Sequence, residues 1–109
     1  MTLRIERNGA VVIERGIDGS VPTGDWFSVW SDGWIEQGGQ IKVTSNGRQE
    51  ISYKRIYKNE YQAVYASVIA GANVGTVQAM SVDTHRLYIF VQNASEANPV
   101  FIEWQAKGY

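Results

Sequence analysis

His85, in the stretch "DTHRL", is the only imidazole that this 109-residue chain offers to catalysis or to a metal. A nucleophilic triad needs a base held beside the nucleophile and a third group orienting the base. Asp83, Thr84 and His85 are instead sequence neighbours in a segment that reads as a turn, so His85 is taken as a solvated turn histidine. The chain has no cysteine, which removes disulfides, thiolate nucleophiles and the common zinc constellations. No Asp/Asn ladder has the spacing of a calcium loop. A lone histidine gathers enough ligands only by meeting its copies on a threefold axis, and neither a metal nor another cofactor is expected.

Carboxylates fare no better. A glycoside-hydrolase pair would have to come from Asp25, Asp32, Glu36 and Glu103, two of them held across a cleft. Asp32 is accounted for by a turn and Asp25 by the start of a strand. "GANVG", residues 71–75, lacks the lysine of a phosphate loop. "NAS", residues 93–95, matches a glycosylation sequon, but nothing at the N-terminus resembles a signal peptide. A non-enzymatic protein is expected.

The distinctive inventory is aromatic. "DWFSVWSDGWIEQGG", residues 25–39, holds three of the four tryptophans, and Tyr53, Tyr57, Tyr61, Tyr65 and Tyr88 follow. Aromatic faces stack on sugar C–H groups while Trp and Tyr tips donate hydrogen bonds, so a ligand platform is one use for them. Core or subunit interface is the other. Trp26 and Trp30 share one face of a strand, opposite Phe27 and Val29, and that arrangement favours burial.

Charge excludes further classes. Ten basic against eleven acidic residues leave a net charge of −1, too little to draw in nucleic acid or an anionic membrane. No segment approaches the roughly 20 apolar residues of a membrane span, and "MTLRIERNG" has no signal-peptide core. Cytoplasmic synthesis is expected.

The elements that carry these side chains read as strands. Short runs of Val, Ile, Tyr, Phe and Trp alternate with Gly, Asn, Asp and Ser. Asn8-Gly9, Asp32-Gly33 and Asn46-Gly47 each predict a hairpin turn. "YQAVYASVIA", "TVQAMSVD", "LYIFVQN" and "VFIEWQAKGY" supply the later strands. The fold expected is an all-β antiparallel sandwich, lectin-like, of roughly nine or ten short strands. Residues 1–24 read as a lead-in hairpin or arm and 25–109 as the main domain.

Two strands are apolar on both faces. Leu87, Ile89 and Val91 oppose Tyr88 and Phe90, while Val100, Ile102 and Trp104 oppose Phe101 and Glu103. A sheet with one wetted face alternates apolar and polar residues, so a neighbouring subunit is expected to cover the second face. Partly exposed aromatics on a monomer are the alternative.

"GDWFSVWSDGWIEQGG" resembles the opening motif of the C-terminal domains of tailed-phage and prophage tail-fibre proteins, where an aromatic strand runs through a "SDGW" turn into an "IEQGG" strand. "VFIEWQAKGY" resembles that family's closing strand, although Gln105 and Lys107 stand where apolar residues are common. "VVIERGIDGS" resembles the segment that precedes the domain. The resemblance anchors both ends of residues 25–109, and the middle agrees only in texture.

Membership implies a receptor-binding tip at the distal end of a homotrimeric virion fibre. Its partners would be further copies of itself and a bacterial surface polysaccharide or outer-membrane protein. Trp26, Trp30, Asp32, Gly33, Trp34, Gly38, Gly39 and Trp104 would then be scaffold, with the two strand glycines marking a bulge or a close backbone approach. Receptor contacts are expected in the loops, because loops carry function on β scaffolds. "KNE" (58–60), "GANVG" (71–75) and "ASEANP" (94–99) are the longer ones, and Asn73, His85, Tyr88, Asn93 and Asn98 are the candidate contact residues.

Three other functions remain open at this stage. A free-standing carbohydrate-binding module would expose its tryptophans. A purely structural trimerisation cap would have no affinity for cells, and a tailspike-type glycan hydrolase would release reducing ends. A short natural product and a fragment of a longer fibre are equally compatible with the chain.

Overall fold

The computed structural model describes residues 6–18, 25–71 and 76–109. Among them lie nine strands and no helix: β1 (Glu6–Arg7), β2 (Ala10–Asp18), β3 (Asp25–Trp30), β4 (Ile35–Val43), β5 (Gly47–Ser52), β6 (Ala63–Gly71), β7 (Val77–Ser81), β8 (Arg86–Val91) and β9 (Val100–Gly108). They form two antiparallel sheets, one ordered β1-β2-β3-β4-β9-β6 and the other β5-β8-β7. The all-β, two-sheet architecture is as expected.

Turn chemistry explains the first hairpins. Asn8 and Gly9 both adopt positive φ, 51° and 82°, as a two-residue type I′ connection requires. The second hairpin is built differently. Gly33 alone takes positive φ, at 93°. Its amide donates to the Trp30 carbonyl at 2.9 Å, and the Trp30 amide donates to the Trp34 carbonyl at 2.8 Å. This is a type I turn closed by a glycine in the left-handed region, and Asp32 Oδ1 accepts from the Trp34 amide at 3.2 Å.

The third expected hairpin does not exist. β4 pairs with β3 and β9, whereas β5 pairs with β8, its Gly47 opposite Val91. The chain therefore crosses between sheets at Asn46-Gly47. Gly47 has φ 105°, but the Asn46 side chain is used elsewhere, accepting from the Ala94 amide at 2.7 Å. β5 stops at Ser52, after which Tyr53 and Tyr57 turn inward and are buried.

The core lies between the sheets. β9 sends Val100, Ile102, Trp104 and Ala106 inward, and β8 answers with Leu87, Ile89 and Val91, all seven essentially inaccessible. Burial of such side chains contributes about 1.5–3 kcal/mol for each large apolar residue. The opposite face of β9 carries Phe101, Glu103 and Gln105, all half-buried, with Lys107 exposed. Gln105 and Lys107 thus fall on the outward side, where polar residues are stable. Two strands carry a bulge, at Ile13 in β2 and Ile69 in β6. Each inserted isoleucine is left exposed, at 65% and 46%, as expected for a residue without a cross-strand partner.

Gly38 and Gly39 are sites of close approach. A Cβ on Gly38 would stand 2.5 Å from the Trp104 backbone carbonyl oxygen and 2.9 Å from the Trp26 ring. A Cβ on Gly39 would land on the Asp25 carboxylate and 3.2 Å from Trp104 Nε1. The two obstacles differ in kind, since a carboxylate can rotate away and a sheet carbonyl cannot. Gly38→Ala is expected to cost about 2 kcal/mol or more through overpacking. Gly39→Ala should be largely rescued by Asp25→Ala in the same chain. Urea melts of these three variants and the parent measure both, read as shifts in midpoint at constant slope.

Candidate functional site

Strand register sorts the connections into two ends. Val43, Val100 and Gly71 are aligned at one end of the large sheet, as are Gly47, Val91 and Val77 in the small one. Connections 44–46 and 92–99 therefore gather there, where β6 ends and β7 begins. At the other end lie the 31–34 turn, the 53–62 connection, the 82–85 turn and Tyr109.

This second end is a set of interlocked polar and aromatic contacts. Gln37, fully buried on β4, accepts from the Lys54 and Arg55 amides at 2.9 and 3.2 Å and donates to the Arg55 carbonyl at 2.8 Å. It thereby fastens the 53–62 connection to the large sheet. The Arg55 guanidinium lies 4.0 Å above the Phe27 ring and pairs with Glu14 at 2.5 Å. Tyr53 donates to Gln62 Oε1 at 3.0 Å and packs edge-on against Tyr57. Burial pushes the Tyr57 hydroxyl up to about 12, partly offset by the Gln37 amide and reinforced by the Glu36 charge. Tyr53 is raised further for the same leading reason.

Trp34 meets Tyr109 edge to face at 5.0 Å and donates from Nε1 to Glu36 at 3.0 Å, while the Tyr109 hydroxyl donates to Asp32 at 3.2 Å. Trp30 and Trp104 are buried, and Trp26 and Trp34 are half-buried. Trp30, Trp34 and Trp104 hold the structure together here, whereas Trp26 and Phe27 line an open cavity of about 510 Å³ with Arg15, Gly16 and Ser28. His85 is here too, exposed, with Nδ1 and Thr84 Oγ1 sharing a hydrogen bond of 2.8 Å. Its backbone amide donates to Asp83 at 2.8 Å. That bond, followed by those from Arg86, holds the Asp83 carboxyl below its ordinary range.

The first end and the adjoining outer face of β5-β8-β7 are different in character. Asn93 closes β8 with φ 64°, and the Asn98 amide donates to the Ser95 carbonyl at 3.2 Å, with the reciprocal bond at 3.1 Å. On the outer face, Gln78, Phe90 and Arg48 stand in one cross-strand row, with Met80, Tyr88 and Glu50 in the next. The Arg48 guanidinium stacks 4.5 Å over Tyr88, which meets Phe90 edge-on at 6.4 Å. Phe90 is 38% and Met80 45% exposed. A groove of about 300 Å³ runs along Phe90, lined also by Thr76, Val77, Gln78 and Gln92.

Of the candidate contact residues, Asn93 and Asn98 thus lie together at the groove end, and Tyr88 is on the adjoining face. His85 is at the opposite end. Asn73, with most of "GANVG", falls outside the described residues. Gln78, Gln92 and Arg48 were not singled out in the sequence, because each reads as an ordinary strand residue until β7 and β5 are placed on either side of β8, and Phe90 was read only as part of that strand's second apolar face. Among the described residues no three His, Cys, Asp or Glu side chains converge to hold a metal ion, and no helix is long and apolar enough to cross a membrane.

No protein-family model and no curated protein matches the chain. Solved structures do. An N-truncated R2-type pyocin tail fibre aligns over 89% of this chain and 38% of its own, with a TM-score of 0.62 at 15% identity. The C-terminal part of the R2 pyocin fibre of P. aeruginosa aligns over 89% and 26%, with a TM-score of 0.63 at 16% identity. An N-truncated R1-type pyocin tail fibre aligns over 89% and 87%, with a TM-score of 0.59 at 17% identity. The likeness at this identity is one of fold. The chain has the fold of a domain found in pyocin tail fibres and spans well under half the length of the first two.

Two outcomes follow from the two ends. Because the folded state holds Tyr57 neutral, its contribution to stability is complete below about pH 10, the ordinary tyrosine value, and is lost as pH rises towards about 12. Tyrosinate absorbance should show Tyr53 and Tyr57 titrating last, and Tyr57→Phe should remove part of the alkaline loss. At the other end, Asn93→Ala should cost about 1 kcal/mol for its left-handed backbone while Asn93→Gly is near neutral, as thermal melts will report.

Proposed function

We propose that the chain is the receptor-binding tip of a tail fibre in a phage or phage-tail-like particle. In this role it is non-enzymatic and attaches the particle to a bacterial surface glycan or outer-membrane receptor. The observation that carries the proposal is the fold likeness to pyocin tail fibres over 89% of the chain. The "SDGWIEQGG" and "VFIEWQAKGY" motifs support it from the sequence side.

The tip works as a homotrimer, made in the host cytoplasm, with residues 1–24 as the lead-in and 25–109 as the tip domain. Large apolar side chains left exposed on and around the edge strands β6 and β7, namely Tyr61, Tyr65, Ile69 and Met80, are consistent with a further copy packing nearby. Contact with the receptor falls to the outer face of β5-β8-β7 and the loops beside it, where aromatic and amide groups are exposed beside Arg48 and the Arg86–Glu50 pair. Weak single contacts suffice, because linking several copies raises avidity by roughly 10²–10⁴.

Two measurements test this. Light scattering coupled to size exclusion should give about three times the 12.2 kDa chain mass. A fluorescent fusion should adsorb to cells of a susceptible strain, and Trp34→Phe, at the interlocked end, should leave adsorption within about twofold of the parent. A stable trimer that adsorbs to no strain in a broad panel would favour a structural cap of the fibre instead.

A further inference from the structure

The groove along Phe90 has chemistry that narrows the ligand class. Its volume of about 300 Å³ is at the lower limit for small-molecule sites, room for one ring and its substituents. Phe90 supplies an exposed apolar floor, and such faces stack on the C–H side of a pyranose. Thr76 Oγ1 donates to Gln92 Oε1 at 3.2 Å, which orients that amide so that its NH₂ group is the part left to a ligand. The side chain of Gln78, exposed on the other flank, has no hydrogen-bond partner among the described residues. Donors and acceptors of this kind match ring hydroxyls.

Charge adds the discriminating element. Arg86, the other guanidinium on this face, is held by Glu50 at 2.6 Å and Asp83 at 2.9 Å, and these contacts raise its pKa. Arg48 has no carboxylate within ion-pair distance among the described residues. Its guanidinium carbon lies 4.5 Å over the Tyr88 ring, and Arg48 stands directly across the strand pair from Phe90. A stacked guanidinium keeps its N–H edge free, and that edge fits a carboxylate or a phosphate in bidentate fashion. Arg48, a cation without a carboxylate partner among the described residues, therefore stands beside an aromatic floor flanked by amides.

We propose that this groove is a subsite for one acidic sugar residue, with its ring on Phe90, its hydroxyls on Gln78, Gln92 and Thr76, and its carboxylate or phosphate on Arg48. The assignment rests on the receptor-binding role proposed above and names the chemistry of the ligand.

The test is a titration of the ¹⁵N-labelled chain, followed by NMR at low ionic strength, with methyl galacturonoside, galactose 6-phosphate and methyl galactoside. At least one acidic sugar should shift the Gln78 and Gln92 side-chain amides and bind about tenfold more tightly than the neutral one. The tighter of the two acids identifies carboxylate or phosphate as the natural group. Arg48→Gln should bring the acids down to the neutral level, and Phe90→Thr, which keeps a strand-forming residue on an exposed face, should abolish all three responses. Equal binding of neutral and acidic sugars, or shifts confined to other parts of the chain, would overturn the subsite. Cell adsorption separates the two levels. A folded Phe90→Thr variant that adsorbs like the parent removes the subsite and leaves the tip role intact. A parent chain that adsorbs to no strain removes the tip role, and the sugar titration still decides the groove.

Discussion

The backbone contact between β4 and β9 is the constraint on which the rest of the structure depends. β9 lies in the large sheet between β4 and β6, and its inward residues form the middle of the core. Trp104 is the largest of the fully buried side chains. Its backbone carbonyl and its indole both come close to the paired glycines of β4, and Trp26 closes over Gly38 from the other face. Any side chain at those two positions would separate the strands or displace a tryptophan. The adjacent Gln37 then extends the same strand's influence to the 53–62 connection through three hydrogen bonds. One segment, residues 37–39, thus sets both the sheet spacing and the position of a long connection.

That arrangement divides the molecule. Much of the aromatic motif goes into packing: Trp30 is buried, Trp34 is engaged with Tyr109 and Glu36, and Phe27 is capped by Arg55, while Trp26 lines the open cavity beside β2. The small sheet buries Leu87, Ile89 and Val91 on one face and leaves Tyr88, Phe90, Arg48 and Gln78 on the other. A rigid strand is a better support for contact groups than a loop alone, since its side-chain positions are fixed by pairing on both flanks. The amphipathic alternation of β8 is what presents Phe90 outward while anchoring it.

How much of this was legible in the sequence follows from the range of the interaction concerned. The Asn8-Gly9 hairpin was, because positive φ at both positions is a property of two residues. The final strand was, because Val100, Ile102 and Trp104 share one face of it, although its place between β4 and β6 was not. Asn46-Gly47 misled, since a glycine turn says that the chain reverses locally and not which strand becomes the partner. Burial of Val43 in one sheet and of Val91 across the other decided that. Tyr53 and Tyr57 look like strand aromatics until the buried Gln37 is seen to hold their segment as a loop. His85 and Asn93 flank the strand read in "LYIFVQN", so their separation was legible, whereas which other connections share each end depends on pairings between distant strands. Arg48 and Gln78 acquire meaning only through their pairing with Phe90.

Hydrogen–deuterium exchange of the chain bound to cell-envelope material tests the central division most directly. It compares the aromatic motif as scaffold with the outer face of the small sheet as contact surface. Added protection in β7, β8 and residues 92–99, with residues 25–39 unchanged, is the result predicted. Protection confined to residues 25–39 would contradict it and make the tryptophan motif itself the contact surface.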